Sequence, residues 1–87
     1  MVNQPANGRR APTPAQLRAA RSALGLSLPD LAALSGLGLS TLKRAEKAGL
    51  SVVTPANADR IVATLEGRGI VFLDDDGSGV GLRFPAA

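Results

Sequence analysis

The chain has 87 residues and a formal net charge of +3, with 10 lysines and arginines against 7 acids. It contains no cysteine and no histidine, which excludes disulfides, thiolate metal sites and every Ser-His-Asp or Cys-His catalytic arrangement. A chain this short allows one small domain with a thin core, and a second copy is expected to complete that core.

The charge is unevenly distributed. Residues 1–50 carry seven basic side chains against Asp30 and Glu46, whereas residues 51–87 carry Arg60, Arg68 and Arg83 against five acids. The basic half is therefore the candidate footprint on a polyanion. Phe72 and Phe84 are the only aromatic residues, which leaves little for stacking on single-stranded bases. No run of about eighteen apolar residues is present, so no membrane span is expected. Arg9 and Arg10 are not followed by a hydrophobic run, so no signal peptide is expected and the protein is read as cytoplasmic.

Residues 1–12 are rich in Asn, Pro, Gly and Arg and lack an apolar period, which predicts a disordered basic tail. Arg9 and Arg10 in it suit a minor groove or a phosphate, or the tail only solubilises. Thr13 starts the first helix as its cap, with Pro14 in the first turn and Gln16 placed to complete a capping box. Leu17, Ala20 and Leu24 recur at helical spacing and face the core; Gly25 ends the helix in a left-handed conformation.

Residues 27–49, SLPDLAALSGLGLSTLKRAEKAG, read as two short helices joined by a glycine turn. Ser27 caps the first, with Asp30 three residues on, and Pro29 is tolerated only in the first turn. Leu31, Ala32 and Leu34 give this helix an apolar side. Gly36 permits the positive φ of the turn, and Leu37 plugs the corner. A second helix is expected over residues 39–48, with Gly49 as its stop. Leu42, Ala45 and the stem of Glu46 share one face, while Ser40, Thr41, Lys43, Arg44 and Lys47 share the other with no acid among them. A small helix with a polar, basic outer face has the shape to enter a DNA major groove.

Residues 50–53 are a short apolar connector expected to cross the core. Thr54 and Pro55 open another helix, buried along Ile61, Val62 and Leu65 and ended at Gly67 or Gly69. The period then changes. Ile70, Val71, Phe72 and Leu73 form a strand-like run, residues 74–79 a turn, and Val80, Leu82 and Phe84 alternate with Gly81 and Arg83. This predicts a C-terminal β-hairpin, which must lie on the helices, pair with a second subunit, or both.

The stretch LRAARSALGLSLPDLAALSGLGLSTLKRAEKAG resembles the helix-turn-helix of the Cro/C1 (XRE) family of DNA-binding transcriptional regulators. The likeness covers about residues 14–65 and rests on Arg21 before Leu24-Gly25-Leu26-Ser27, on Leu31-Ala32, Gly36, Thr41-Leu42 and Glu46. It implies a mainly α fold: a compact four- to five-helix Cro/C1-type domain over residues 13–69, with the hairpin of residues 70–87 as a dimerisation element. It also implies that Arg21 and Glu46 form a structural ion pair. Leu39, Ser40, Lys43 and Arg44 would sit where the family reads base edges. Ser27 and Thr41 would lie near backbone phosphates, with Lys47 and Arg18 adding phosphate contacts. The implied partner is double-stranded DNA, bound by a homodimer within the nucleoid, with no cofactor or metal.

The sequence departs from the family at four places, one of them the glycine expected after the recognition helix, which is displaced from Ala48 to Gly49. Leu28 stands where a glutamine is common, Gly38 where a serine or threonine caps the recognition helix, and Leu39 is apolar at a base-reading place. Leu39 suits a thymine methyl, or an apolar patch for a protein partner. The alternative function is therefore a protein-binding module on the same fold, such as an antitoxin or an antiactivator. Asp74-Asp75-Asp76-Gly77-Ser78-Gly79 lacks the spaced ligands and closing glutamate of a calcium loop and reads as a solvated hairpin turn. Gly36-x-Gly38 lacks the context of a dinucleotide site. No carboxylate pair sits in an apolar setting, so no enzyme is expected.

Overall fold

The structure, a computed structural model, describes residues 11–85. The chain runs α1 (Pro14–Ala23), α2 (Leu28–Ser35), α3 (Leu39–Ala48), a 3-10 turn (Leu50–Val52), α4 (Pro55–Glu66), β1 (Val71–Leu73) and β2 (Gly81–Arg83). The fold is mainly helical with a small antiparallel hairpin. Of the expected tail of residues 1–12, residues 1–10, with Arg9 and Arg10, lie outside the described residues.

Local chemistry explains the helix ends. The Thr13 hydroxyl accepts from the Gln16 N–H at 3.1 Å while Gln16 Oε1 accepts from the Thr13 N–H at 2.9 Å. Ser27 and Asp30 make the same reciprocal pair at 3.0 and 2.9 Å, and the Thr54 hydroxyl accepts from the Asn57 N–H at 3.1 Å. Each box answers two N–H groups that the first turn leaves without a helical partner. Helix α1 stops in a Schellman motif. Leu26 N–H donates to the Arg21 carbonyl at 3.1 Å and Gly25 N–H to Ser22 at 2.9 Å, with Gly25 at φ 72°. Helix α2 stops at Gly36, φ 73°, and the turn delivers α3 almost at once.

The core is one cluster: Leu17 and Ala20 from α1, Leu31 from α2, Leu42 and Ala45 from α3, then Leu50, Ile61, Leu65, Ile70 and Phe72. Burial of each large aliphatic is worth about 1.5–3 kcal/mol relative to leaving it exposed. Leu37 and Val62 pack against the cluster from its edge. Two expectations are corrected. Leu34 is 42% exposed, and Ser35, four residues after Leu31 and so on its face, is buried instead. The connector buries Leu50 and packs Val53 against the edge of the core, but its 3-10 turn leaves Val52 outside at 42% exposure.

The hairpin pairs Val71 with Arg83, Phe72 with Leu82 and Leu73 with Gly81. Phe72 is buried and Leu82 packs on the core, so alternate side chains of the hairpin turn toward the helices. Its turn is closed by Asp75, whose Oδ1 accepts from the Gly77 and Gly79 N–H groups, both at 2.8 Å, and by Asp76, which accepts from Ser78 at 3.0 Å. Among the described residues no helix is long and apolar enough to cross a membrane.

Candidate nucleic-acid interface

The candidate interface is the outer face of α3. A helix turns 100° per residue, so Ser40, Lys43, Arg44 and Lys47 fall together on one side, and all four are exposed. Leu42, Ala45 and Glu46 fall on the other side and are buried. Thr41 lies between the two faces and is half-buried. Leu39, at the first turn, is 37% exposed. Gly38 caps α3 without a side-chain hydrogen bond.

Three residues of α1 and α3 fix this face to the rest of the molecule. Arg21 Nε donates to Glu46 Oε2 at 2.7 Å, and its Nη2 donates to Glu46 Oε1 at 3.0 Å. This is the two-pronged geometry that suits a guanidinium and a carboxylate. Arg21 Nη1 also donates to the Leu26 carbonyl at 3.0 Å, tying in the turn before α2. The hydrogen bond that Arg21 donates to Glu46 raises the Arg21 pKa above its ordinary value, against the smaller opposing effect of burial. Glu46 is 7% exposed as a residue and is consumed by this pairing, so it puts no negative charge on the outer face.

Arg18, expected at a phosphate, donates from Nη1 to the Glu46 backbone carbonyl. Part of its hydrogen-bonding capacity thus serves the end of α3, although the residue remains exposed. Ser27 is exposed but its hydroxyl is engaged by the Asp30 N–H. Two hydrogen bonds from Ser27, the backbone one first, hold the Asp30 carboxyl below the ordinary carboxylate range. Leu28 lines a shallow cavity of about 390 Å³ with Arg18, Arg21, Lys43, Glu46 and Lys47. A small apolar floor is thereby ringed by cations. Ser27 sits at the N-terminus of α2, and the other predicted residues gather on or beside α3.

Sequence reasoning missed two positions. Gln16 appeared only as half of a capping box, yet its Nε2 donates to the Leu73 carbonyl at 3.2 Å and to the Gly81 carbonyl at 2.6 Å. Arg60, from α4, donates to the Ser35 carbonyl at 3.4 Å and covers the C-terminal end of α2. Neither contact leaves a local signal, because the partners are 57, 65 and 25 residues away in the chain. No group of three or more acidic side chains among the described residues could hold a metal ion. A scan of protein-family models finds none that matches this chain, and a search of curated proteins finds no match.

Proposed function

We propose that this chain is a sequence-specific DNA-binding transcriptional regulator, a repressor or switch protein of the Cro/C1 (XRE) type. It binds a two-fold operator as a homodimer, with α3 in the major groove and the hairpin as the dimerisation element. The observation that carries the reading is the outer face of α3: Ser40, Lys43, Arg44 and Lys47 exposed together, with the nearest acid turned inward onto Arg21. Lys43 and Arg44 read guanine edges or phosphates, Leu39 meets a thymine methyl, and Ser27, Thr41, Lys47 and Arg18 contact the backbone. Two such helices about 34 Å apart would address successive turns of the duplex. The hairpin leaves Val71, Val80 and Phe84 exposed, at 41, 45 and 57%, which favours a second copy as its cover. The working place of such a protein is the nucleoid.

The test is fluorescence anisotropy with DNA from upstream of the gene and with a scrambled duplex, each at two salt concentrations. Specific binding is tight on the first and weak and strongly salt-dependent on the second. Arg44→Ala should lower specific affinity by ~1–3 kcal/mol if its guanidinium is bidentate to a base. Equal weak binding to both duplexes would remove the reading.

The exposure of Leu39 at the start of α3, with half-buried Leu28 at the start of α2, favours a second reading, a protein-binding module such as an antitoxin or antiactivator. The double change Lys43→Ala, Arg44→Ala separates the two. It abolishes DNA binding and leaves an apolar partner contact intact.

A further inference from the structure

Three polar side chains are buried among the described residues: Gln16, Ser35 and Glu46. Glu46 is matched by Arg21, and the Ser35 hydroxyl stays within its own turn. Gln16 reaches furthest. Its Oε1 takes the Thr13 N–H, and its Nε2 spends both protons on the hairpin, one on Leu73 and one on Gly81. Leu73 and Gly81 are opposite each other in the strand register, so one amide grips both strands at the same rung.

The capping box needs only the oxygen of this side chain, and a glutamate would serve it equally. The two N–H donors therefore do a separate job. Ile70 and Phe72 already hold the hairpin to the core, at 2% and 6% exposure. Apolar contact is not directional, however, and hydrogen bonds are. Burial keeps the hairpin down, and Gln16 sets its angle. Two residues later on the same helix Arg18 holds the α3 carbonyl end, and Arg21 holds the α3 carboxylate. One short helix thus grips the hairpin through Gln16 and α3 through two arginines on Glu46.

We propose that Gln16 is a positioning residue: it couples the hairpin to α3, so that pairing of two hairpins fixes the separation of two recognition helices. The consequence for DNA rests on the dimeric reading above, whereas the coupling is a property of one chain. Residues at α3 that touch DNA would then depend on a side chain that never meets it.

The experiment uses the full chain. It has no cysteine, so Ala48→Cys on α3 and Arg83→Cys on β2 give unique spin-label sites. Both positions are exposed. Labelled protein is diluted into excess unlabelled protein, so each pair of labels reports one chain. The interlabel distance is read by pulsed electron paramagnetic resonance in three backgrounds: Gln16, Gln16→Glu and Gln16→Met. Gln16→Glu keeps the capping oxygen and removes both donors at neutral pH; Gln16→Met removes the donors without adding charge. The distribution should be narrow with Gln16 and about twofold broader in both variants, with helical circular dichroism retained. An equally narrow distribution in the variants overturns the proposal.

The second readout uses a duplex selected by the unaltered protein from a random library, and the same duplex with half a helical turn inserted between its half-sites. The insertion should cost the unaltered protein at least roughly tenfold in affinity and the Gln16 variants less than about threefold. Unchanged discrimination in the variants also overturns the proposal. A protein that selects no duplex defeats the DNA reading instead, and the label distances still decide the coupling.

Discussion

Helix α1 holds two neighbours, and the two attachments differ in kind. Toward α3 it uses charge, through Arg21 on the Glu46 carboxylate and Arg18 on the Glu46 carbonyl. Toward the hairpin it uses one neutral amide, Gln16. The packing differs as well. Between α1, α2 and α3 the core is closed, with Leu17, Ala20, Leu31, Leu42 and Ala45 all at 1% exposure or less. The hairpin has strands of only three residues, and a lone two-stranded hairpin is marginal in water. It buries one aromatic, Phe72 at 6%, and leaves the other, Phe84, at 57%. A helix set with a finished core can present a fixed outer face. A hairpin with apolar side chains left over gains stability when something covers it.

The strongest way to break this contrast is to cut the charged attachment. Glu46→Ala removes the carboxylate that accepts two Arg21 N–H groups, while the partly exposed guanidinium keeps its bond to the Leu26 carbonyl, and should cost about 1–3 kcal/mol of folding stability. Urea unfolding followed by circular dichroism measures it. A loss under about 1 kcal/mol would show that the pair only balances its own desolvation. Phe84→Ser is the opposite case. An exposed side chain makes few contacts within its own chain, so monomer stability should change by less than about 0.5 kcal/mol. The mass of the proposed homodimer, read by light scattering, should nevertheless shift to lower values at the same concentration. A dimer untouched by this change would place the partner surface elsewhere.

Much of this division was legible in the sequence, and the rest was not for identifiable reasons. Thr13 with Gln16 and Ser27 with Asp30 announce helix starts because a cap acts within three residues. Gly25 and Gly36 announce turns because only glycine adopts positive φ without strain. The face of α3 follows from the helical period of about 3.6 residues repeated over its ten residues. Leu34 was misread because α2 has only eight residues, and periodicity cannot say how wide a stripe its neighbours cover. The burial of Ser35 is tertiary for the same reason. The reach of Gln16 to residues 73 and 81 is invisible to any local rule, since a side-chain amide carries no mark of which distant carbonyl it will meet. Arg18 shows the same limit: the resemblance puts it near phosphate, and no local signal announces that its Nη1 also donates to a backbone carbonyl 28 residues away.

The smallest effect concerns acid, and it should separate the two attachments without any mutation in either. In the folded chain the Asp30 carboxyl lies below its ordinary pKa, because the Ser27 N–H donates to it at 2.9 Å and the Ser27 side chain adds a second hydrogen bond. A lowered folded pKa means the carboxylate contributes its stabilisation fully above the unfolded value and loses it as pH falls through the folded value. The gap in urea midpoint between the unaltered chain and Asp30→Ala should therefore be present at neutral pH and narrow as the pH falls below the ordinary carboxylate range. Comparing the two proteins cancels the titration of the other acids. Hydrogen exchange then locates the change. Amides in the first turn of α2 should exchange faster on acidification, relative to the intrinsic rate, in the unaltered chain only. The bonds from Gln16 to Leu73 and Gly81 contain no ionisable group, so the rung they hold should not respond to the loss of this cap. If that rung loosened in step with α2, the hairpin and the helix set would open as one cooperative unit, and the difference between the two attachments would be one of chemistry but not of stability.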